Sequence, residues 1–451
     1  MTAPARRTLF QDLTQVLKSG LFKTGLGAGA VRIAGLALML AVSVVLARVL
    51  GANGLGQYAL AISVINLLGL PALMGLPSLV TRETARALAV QDWPMMRGLW
   101  FWATGRILAL SCVVIALCLL VLLLLPALIE DNARQVLLWG LPLVPLLALS
   151  AARSAALSGL GRVVWAQMPD NLFRPFVMIV LLSGAFILGG SDISAQLAMR
   201  LQVGAAAAAF AIGLVLFLKA RPTEVTENTT RTQQTRDWNA AIWSIALIAS
   251  AQSLMANADL LMLGWWRSAP EVGYYKVAST GASLCAIGMG IVASVINPRF
   301  AALHKTAETG KLARIASWGA AAGFAMALPM ALVFFLWAGP VLRLVYGEPF
   351  VPGATALIIL TAAQVVSTFF GSCIGLLNMT GHEKHTMRAF VLATVVNIGL
   401  NAALIPQFGA SGAAWATFCA VVLWNVMLWL AGLKLLRIDS SVLGLVRKGT
   451  A

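Results

Sequence analysis

Twelve stretches of predominantly apolar residues follow one another along the chain, and their length decides what it can fold into. They lie near 24–49, 56–80, 99–125, 135–159, 168–190 and 194–219, then near 239–263, 272–297, 313–338, 352–378, 386–405 and 410–436. About 20 apolar residues in a helix cross the hydrocarbon of a bilayer, and within lipid only a helix or a closed barrel satisfies its own backbone. Apolar residues make up 60% of the chain and charged residues 11%. A soluble domain carries roughly a quarter charged residues, so no soluble fold of this length can cover so much apolar surface. The fold class expected is therefore an all-α integral membrane protein of about twelve transmembrane helices.

The charges show which way the spans run. A net charge of +16 on a soluble protein would suggest nucleic acid, but membrane proteins gather Lys and Arg on their cytoplasmic side. If the N-terminus is cytoplasmic, that side receives 22 of the 32 Lys and Arg. The other side receives four: Arg48, Arg134, Arg267 and Arg343. Both termini are thus expected on the cytoplasmic side of the membrane, with no nucleic-acid partner. Residues 1–23 are mixed polar and basic and read as an amphipathic cytoplasmic leader, not a cleavable signal peptide. Residues 437–451 read as a cytoplasmic tail. The polar stretch 220–238 reads as a cytoplasmic linker between bundles at 24–219 and 239–436.

The two halves resemble each other. Leu55-Gly-Gln-Tyr-Ala59 aligns with Val272-Gly-Tyr-Tyr-Lys276 at an offset of 217, and Arg82 meets Arg299 at the same offset. A second marker pairs Leu157–Gly161 with Leu377–Gly381 at an offset of 220. Six spans is an even number, so both halves enter from one side and the repeat is parallel. Transporters of that plan bind substrate between the halves and alternate access by rocking one against the other.

Three segments resemble a known family. Spans 1 and 2 are joined by Leu50-Gly-Ala-Asn-Gly-Leu-Gly-Gln-Tyr-Ala59, followed by Gly75-Leu-Pro-Ser-Leu-Val-Thr-Arg-Glu-Thr-Ala85. Spans 7 and 8 read Ala258-Asp-Leu-Leu-Met-Leu-Gly264 and Glu271-Val-Gly-Tyr-Tyr-Lys-Val-Ala278. The third segment comprises Tyr346–Phe350, Leu376–Lys384 and the run from Asn397 to Ala416. Their order and spacing resemble the polysaccharide flippases, the Wzx-type members of the multidrug/oligosaccharidyl-lipid/polysaccharide exporter superfamily. The resemblance implies translocation of undecaprenyl-diphosphate-linked oligosaccharides for O-antigen, capsule or exopolysaccharide synthesis. Membrane lipid, a polysaccharide polymerase and chain-length proteins would be its partners. Lipid II flippases of the superfamily usually have fourteen spans, a departure from the twelve found here. The ion-coupled drug exporters also have twelve and stand as the alternative.

Six basic residues fall inside the spans: Arg32, Arg106, Arg153, Arg174, Arg200 and Lys276. Each is costly in hydrocarbon, by about 2.5–3.5 kcal/mol at a helix centre. Against them stand Asp259 and, at the edge of span 5, Asp170. Such an excess suits an anion, and Arg grips phosphate bidentately; a drug exporter would instead present an acidic site. Snorkelling to the interface is the competing role for these side chains. Arg32, roughly 13 Å into span 1, is the strongest candidate for substrate binding. Asp259 and Lys276 flank the turn near residue 268 at similar depth, so a salt bridge is expected between them. The alternative is that Asp259 couples transport to a proton or sodium gradient. Asn257, Asn397 and Asn401, with Gln252, Gln364 and Asn378, read as interhelical hydrogen-bonding groups, with contacts to sugar hydroxyls as the alternative.

No catalytic constellation is visible, so the chain reads as no enzyme and as needing no cofactor. The five cysteines lie in apolar runs without CxxC spacing, and the three histidines form no metal motif. No phosphate-binding loop appears.

Overall fold

The computed structural model describes residues 20–124, 130–189, 193–227 and 235–447. Most of the expected leader, seven residues of the expected linker (228–234) and the last four residues of the tail lie outside that set. The first half comprises α1 (Gly20–Leu73), α2 (Leu76–Val90), α3 (Trp93–Leu124), α4 (Asp131–Gly140), α5 (Leu143–Gly159), α6 (Val163–Met168), α7 (Arg174–Gly189) and α8 (Ala195–Ala220). A short α9 (Thr223–Glu227) leads into the second half. There follow α10 (Thr235–Trp266), α11 (Ala269–Ser283), α12 (Ile287–Lys305), α13 (Thr309–Val345) and α14 (Ala354–Phe370). The chain ends with α15 (Cys373–Met379), α16 (Glu383–Ala431) and α17 (Gly444–Arg447). No strand occurs among the described residues.

Nine helical segments of the described residues are long and apolar enough to cross a membrane. Two of them are too long for one crossing. The first, Val31–Leu73, has 43 residues, and the other, Glu383–Leu436, has 54; at 1.5 Å per residue these would reach roughly 65–80 Å, against a hydrocarbon core of about 30 Å. Each is interrupted by a glycine with non-helical dihedrals: Gly51 (φ 63°, ψ −175°) and Gly409 (φ 55°, ψ −132°). At Gly409 the chain doubles back so tightly that Gly412 lies against the carbonyl of Leu404. Adding those two turns and α10 restores the twelve spans in two six-helix bundles.

Proline and glycine also shape the spans internally. Span 2 breaks at Met74 and Gly75 (φ 73°), with Pro77 near the start of α2. Span 4 breaks at Leu141 and Pro142, between α4 and α5. Span 5 carries a π turn, Pro169–Phe173, joining α6 to α7. Such wide turns recur at functional sites because they rotate the side chains beyond them out of helical register.

The Gly409 turn is clamped by an acid and a base from one neighbouring hairpin. Arg267 donates to the carbonyls of Ile405 (3.2 Å) and Pro406 (2.9 Å), which end the first leg of α16. Glu271 accepts from the backbone N–H of Ala410 at 3.2 Å, at the start of the second leg. A Cβ at position 409 would meet the Glu271 carboxylate. Gly409→Ala is therefore expected to cost about 1–2 kcal/mol from its left-handed backbone alone, with the collision added. A lowered unfolding temperature in detergent checks this; an unchanged one contradicts it.

Repeat-equivalent glycines bring the halves together. Gly56 lies against the backbone of Ala269, and Gly273 lies against the carbonyl of Ala52 and within 3.4 Å of the Gly56 amide, measured from an ideal Cβ. These two glycines are the ones the offset of 217 equates. Only hydrogen side chains allow this approach, because a Cβ on either would overlap the opposing backbone. Leu46, Leu55 and Tyr58 share one apolar core with Leu263, Val272 and Leu342. Arg48 also crosses between halves, donating to the carbonyls of Val345 (2.9 Å) and Leu344 at the end of α13. The end of the molecule carrying the Gly51 turn is thus shut. Gly273→Val is expected to wedge it apart, raising several-fold the labelling of an Ala269→Cys probe by a membrane-impermeant thiol reagent. Unchanged labelling would contradict the packing role.

Candidate functional site

Three features stand out: two cavities toward the end rich in basic loops, and a buried acid nearer the Arg267 end. The largest is a cavity of about 580 Å³ inside the first half, walled by span 2, α5 and span 5. Asn66 lines it on α1; Ser78 and Thr81 line it on α2; Ser150, Ser154 and Ser158 line it on α5. Asp170 and Arg174, on either side of the end of the π turn, complete the wall. The helix break at Met74–Gly75 lies between Asn66 and Ser78, so the two parts of span 2 approach the cavity separately.

Arg153 and Arg174 have different jobs here. Arg153, only 6% exposed, pairs with Asp170 at 2.9 Å and donates to the carbonyl of Phe210 at 3.1 Å. It ties α5 to span 5 and α8, and it neutralises the one acid in the cavity wall. The Arg174 guanidinium makes no hydrogen bond or ion pair with any described residue, and the side chain lines the cavity.

A second, smaller cavity of about 290 Å³ lies where span 1 crosses span 5. It is lined by Arg32, Gly35, Leu36, Met39, Gln167 and Asn171. Gly35 allows the crossing, since a Cβ there would press on the Asn171 backbone at 2.9 Å. Arg32 is exposed, and the buried carbonyl oxygen of Gln167 has no hydrogen-bond partner. Residues 167 and 171 border this cavity while 170 and 174 border the first, so the turn region of span 5 separates the two.

The remaining basic residues are dispersed. Arg106 lies over the ring of Trp102 at 5.5 Å, on its own helix. Arg200 is exposed and stacks on Trp139 at 4.0 Å. Lys276 sits half-buried on α11 in the second half. The geometry brings Arg174 to one cavity and Arg32 to its neighbour; Arg153 lies behind the first as the partner of Asp170, and Arg106, Arg200 and Lys276 line neither.

The third feature is Asp259, 6% exposed on α10. The ion pair with Lys276 expected from the sequence is not among those formed by the described residues. The reason is angular. Tyr275 and Lys276 are about 100° apart around α11, and it is Tyr275 that faces Asp259, donating at 2.5 Å. Thr417 donates to the same oxygen at 2.5 Å. The other oxygen accepts from Asn397 (3.1 Å) and Asn401 (2.6 Å), the i, i+4 pair on α16. Four neutral donors from three other spans therefore surround one carboxylate, and the side-chain oxygen of Asn401 is buried without a partner. The hydrogen-bonding role expected for Asn397 and Asn401 is borne out, although the sequence left their acceptor unidentified. Asn257, two residues before Asp259, accepts from Asn66 of the first cavity at 3.3 Å. That contact links the halves at mid-membrane.

This arrangement is built from oxygens that can change roles. Rotating the amides of Asn397 and Asn401 turns their carbonyl oxygens toward Asp259, and the two hydroxyls carry lone pairs as well as protons. The cage therefore fits a small hard cation or a proton. Among the described residues no group of three or more His, Cys, Asp or Glu side chains could hold a metal ion.

Residues 26–304 match the model of a family described as "Polysaccharide biosynthesis protein". The chain belongs to that family. The "Probable flippase AglR" of Haloferax volcanii is 28% identical over 172 residues, which cover 38% of this chain and 36% of that protein. The match thus spans little over a third of the length of that curated relative. Among solved structures, an inward-facing multidrug resistance MATE family transporter of the MOP superfamily aligns with a TM-score of 0.76. It is 15% identical, covering 94% of this chain and all of that one. The lipid II flippase MurJ in an inward closed conformation aligns at 0.66 with 15% identity, covering 91% of this chain and 87% of its own. At those identities the likeness is one of fold, and it assigns the MOP-type architecture of two parallel six-helix bundles.

Proposed function

We propose that this member of the polysaccharide biosynthesis family is a flippase that moves undecaprenyl-diphosphate-linked oligosaccharides across the inner membrane by alternating access. The observation that carries the reading is the first cavity: a polar, hydroxyl-lined space at membrane depth whose uncompensated charge is the guanidinium of Arg174. A phosphate anion supplies the missing charge, and a hydrophobic cation is repelled. The one acid there, Asp170, already holds Arg153, which argues against the drug-exporter alternative. The family's description as polysaccharide biosynthesis and the flippase name of the Haloferax volcanii relative support a flippase of glycan synthesis.

Placing the basic loops in the cytoplasm makes this conformation inward-facing. The cavity lies in the cytoplasmic half, and the periplasmic end is shut by Gly56, Gly273 and Arg48. Substrate enters beside span 1, where Arg32 meets the diphosphate, and moves to Arg174. Asp259 couples the step to an ion gradient: binding a proton or sodium ion reorders spans 7, 8, 11 and 12 around it. A polysaccharide polymerase and chain-length proteins would then act on the delivered units.

Cells lacking the gene are expected to lose the surface glycan while lipid-linked units build up in the inner leaflet, with the wild-type chain restoring export. Normal surface glycan in the deletion strain would contradict the reading.

A further inference from the structure

We propose that the Ser150, Ser154 and Ser158 ladder of α5, with Ser78 and Thr81 of α2 opposite, is a seat for the lipid-proximal sugar, read by hydrogen bonds while Arg174 holds the adjoining diphosphate. The inference rests on the flippase reading and adds where the glycan lies and what chemistry recognises it.

The ladder follows from spacing. Residues four apart share a helix face, so the three serines line one wall over roughly 12 Å along the membrane normal. In a membrane bundle a hydroxyl ordinarily donates to its own helix or a neighbouring one. Thr81 does so, to Pro77 at 2.9 Å and Ala155 at 3.2 Å, and Ser154 donates to Ala166 at 3.0 Å. Those bonds pin α2 and span 5 to α5, and they leave both oxygens free to accept. The hydroxyls of Ser78, Ser150 and Ser158 hydrogen-bond to no described residue. Ser150 is only 4% exposed yet lines the cavity. Its hydroxyl has no partner among the described residues and opens onto the cavity, where a ligand's polar group can pair with it.

The cavity also shows what it does not bind. No aromatic ring lines it among the described residues, so a sugar is held by its polar groups and not by stacking. Its volume of about 580 Å³ falls within the roughly 300–1,000 Å³ over which proteins enclose small ligands. The donor and acceptor set is neutral along the ladder and positive only at Arg174, which matches a neutral hydroxyl-bearing or N-acetylated sugar next to a diphosphate. A sugar acid would add a second negative charge where the diphosphate already takes up the one unpaired cation, Arg174.

The test compares lipid binding to the purified full-length protein by native mass spectrometry. The probes are undecaprenyl diphosphate and its glucose, galactose and N-acetylglucosamine conjugates. Wild type is expected to bind at least one conjugate about tenfold or more tighter than the bare diphosphate, since each hydrogen bond is worth several-fold in affinity. The triple variant Ser150→Ala, Ser154→Ala, Ser158→Ala is expected to lose that preference while binding the bare diphosphate normally, which also shows that it is folded. Arg174→Ala is expected to weaken all four lipids alike. A triple variant that keeps the wild-type preference, or a wild type that binds all four lipids equally, overturns the sugar seat and leaves the flippase reading standing. A wild type that binds none of them overturns the flippase reading and the seat with it.

Discussion

Asp259→Asn is expected to reach the membrane folded and to lose gradient-driven transport, by roughly tenfold or more if site and cargo are coupled with ordinary strength. Asn is nearly isosteric with Asp, and its remaining oxygen still accepts from Asn397 and Asn401. Its amide hydrogens can donate to the hydroxyl oxygens of Tyr275 and Thr417, so the hydrogen-bond cage closes and stability changes little. What disappears is the negative charge on which a cation or a proton depends. Transport in proteoliposomes under an imposed sodium or pH gradient reads the effect, and the gradient that stimulates wild type identifies the ion. Full gradient-driven transport by the Asn variant would show that Asp259 is only a structural polar centre. Tyr275→Phe removes one donor and keeps the charge, so it should lower the rate without abolishing the gradient response.

The second large effect separates the arginines. Arg174→Ala should leave protein levels unchanged and weaken substrate binding by about 1.5–3 kcal/mol, the worth of a hydrogen bond to a charged group. That amounts to roughly ten- to hundredfold in affinity. Arg32→Ala should likewise abolish or sharply reduce surface glycan at normal protein levels, with lipid-linked units accumulating inside. Arg153→Ala should behave differently. It breaks a largely buried pair and leaves Asp170 uncompensated, a change that typically costs 3–5 kcal/mol; the expected result is loss of folded protein, read as a low membrane yield. Replacing Arg200 should do little, because the side chain is exposed against Trp139. If Arg174→Ala exports glycan normally while Arg200→Ala does not, the assignment of the anion site is wrong.

The fold was largely legible because lipid imposes few solutions. Span length, turn glycines and the basic loops each leave a mark in one chain. The offset of 217 aligned the segments that hold Gly56 and Gly273, but not their contact, in which a close backbone approach demands glycine on both sides of the pseudo-symmetric interface. The site was legible in part. Arg32 stood out as the deepest charge, whereas Arg174, close to its span end, was equally well explained by snorkelling; both line cavities. The partners of Asp259 did not, because depth alone brings Tyr275 and Lys276 equally near and only the rotation of α11 chooses between them. The Asn397 and Asn401 face was visible, and its target was the one acid deep within a span. Pairing of Arg153 with Asp170 was hidden by the π turn at Pro169–Phe173, which breaks the regular spacing that sequence reasoning relies on. The serine ladder was hidden for another reason: membrane serines usually satisfy themselves on their own helix, so the spacing carries meaning only once the cavity is seen.

The most direct test of the central claim is reconstituted translocation. Purified protein in liposomes is given a fluorescent undecaprenyl-diphosphate-linked N-acetylglucosamine, and its transfer between leaflets is followed by an impermeant quencher. Protein-dependent transfer, faster under an ion gradient and lost in Arg174→Ala, is the predicted result. Transfer no faster than in protein-free liposomes, with movement of a hydrophobic cation instead, would contradict it.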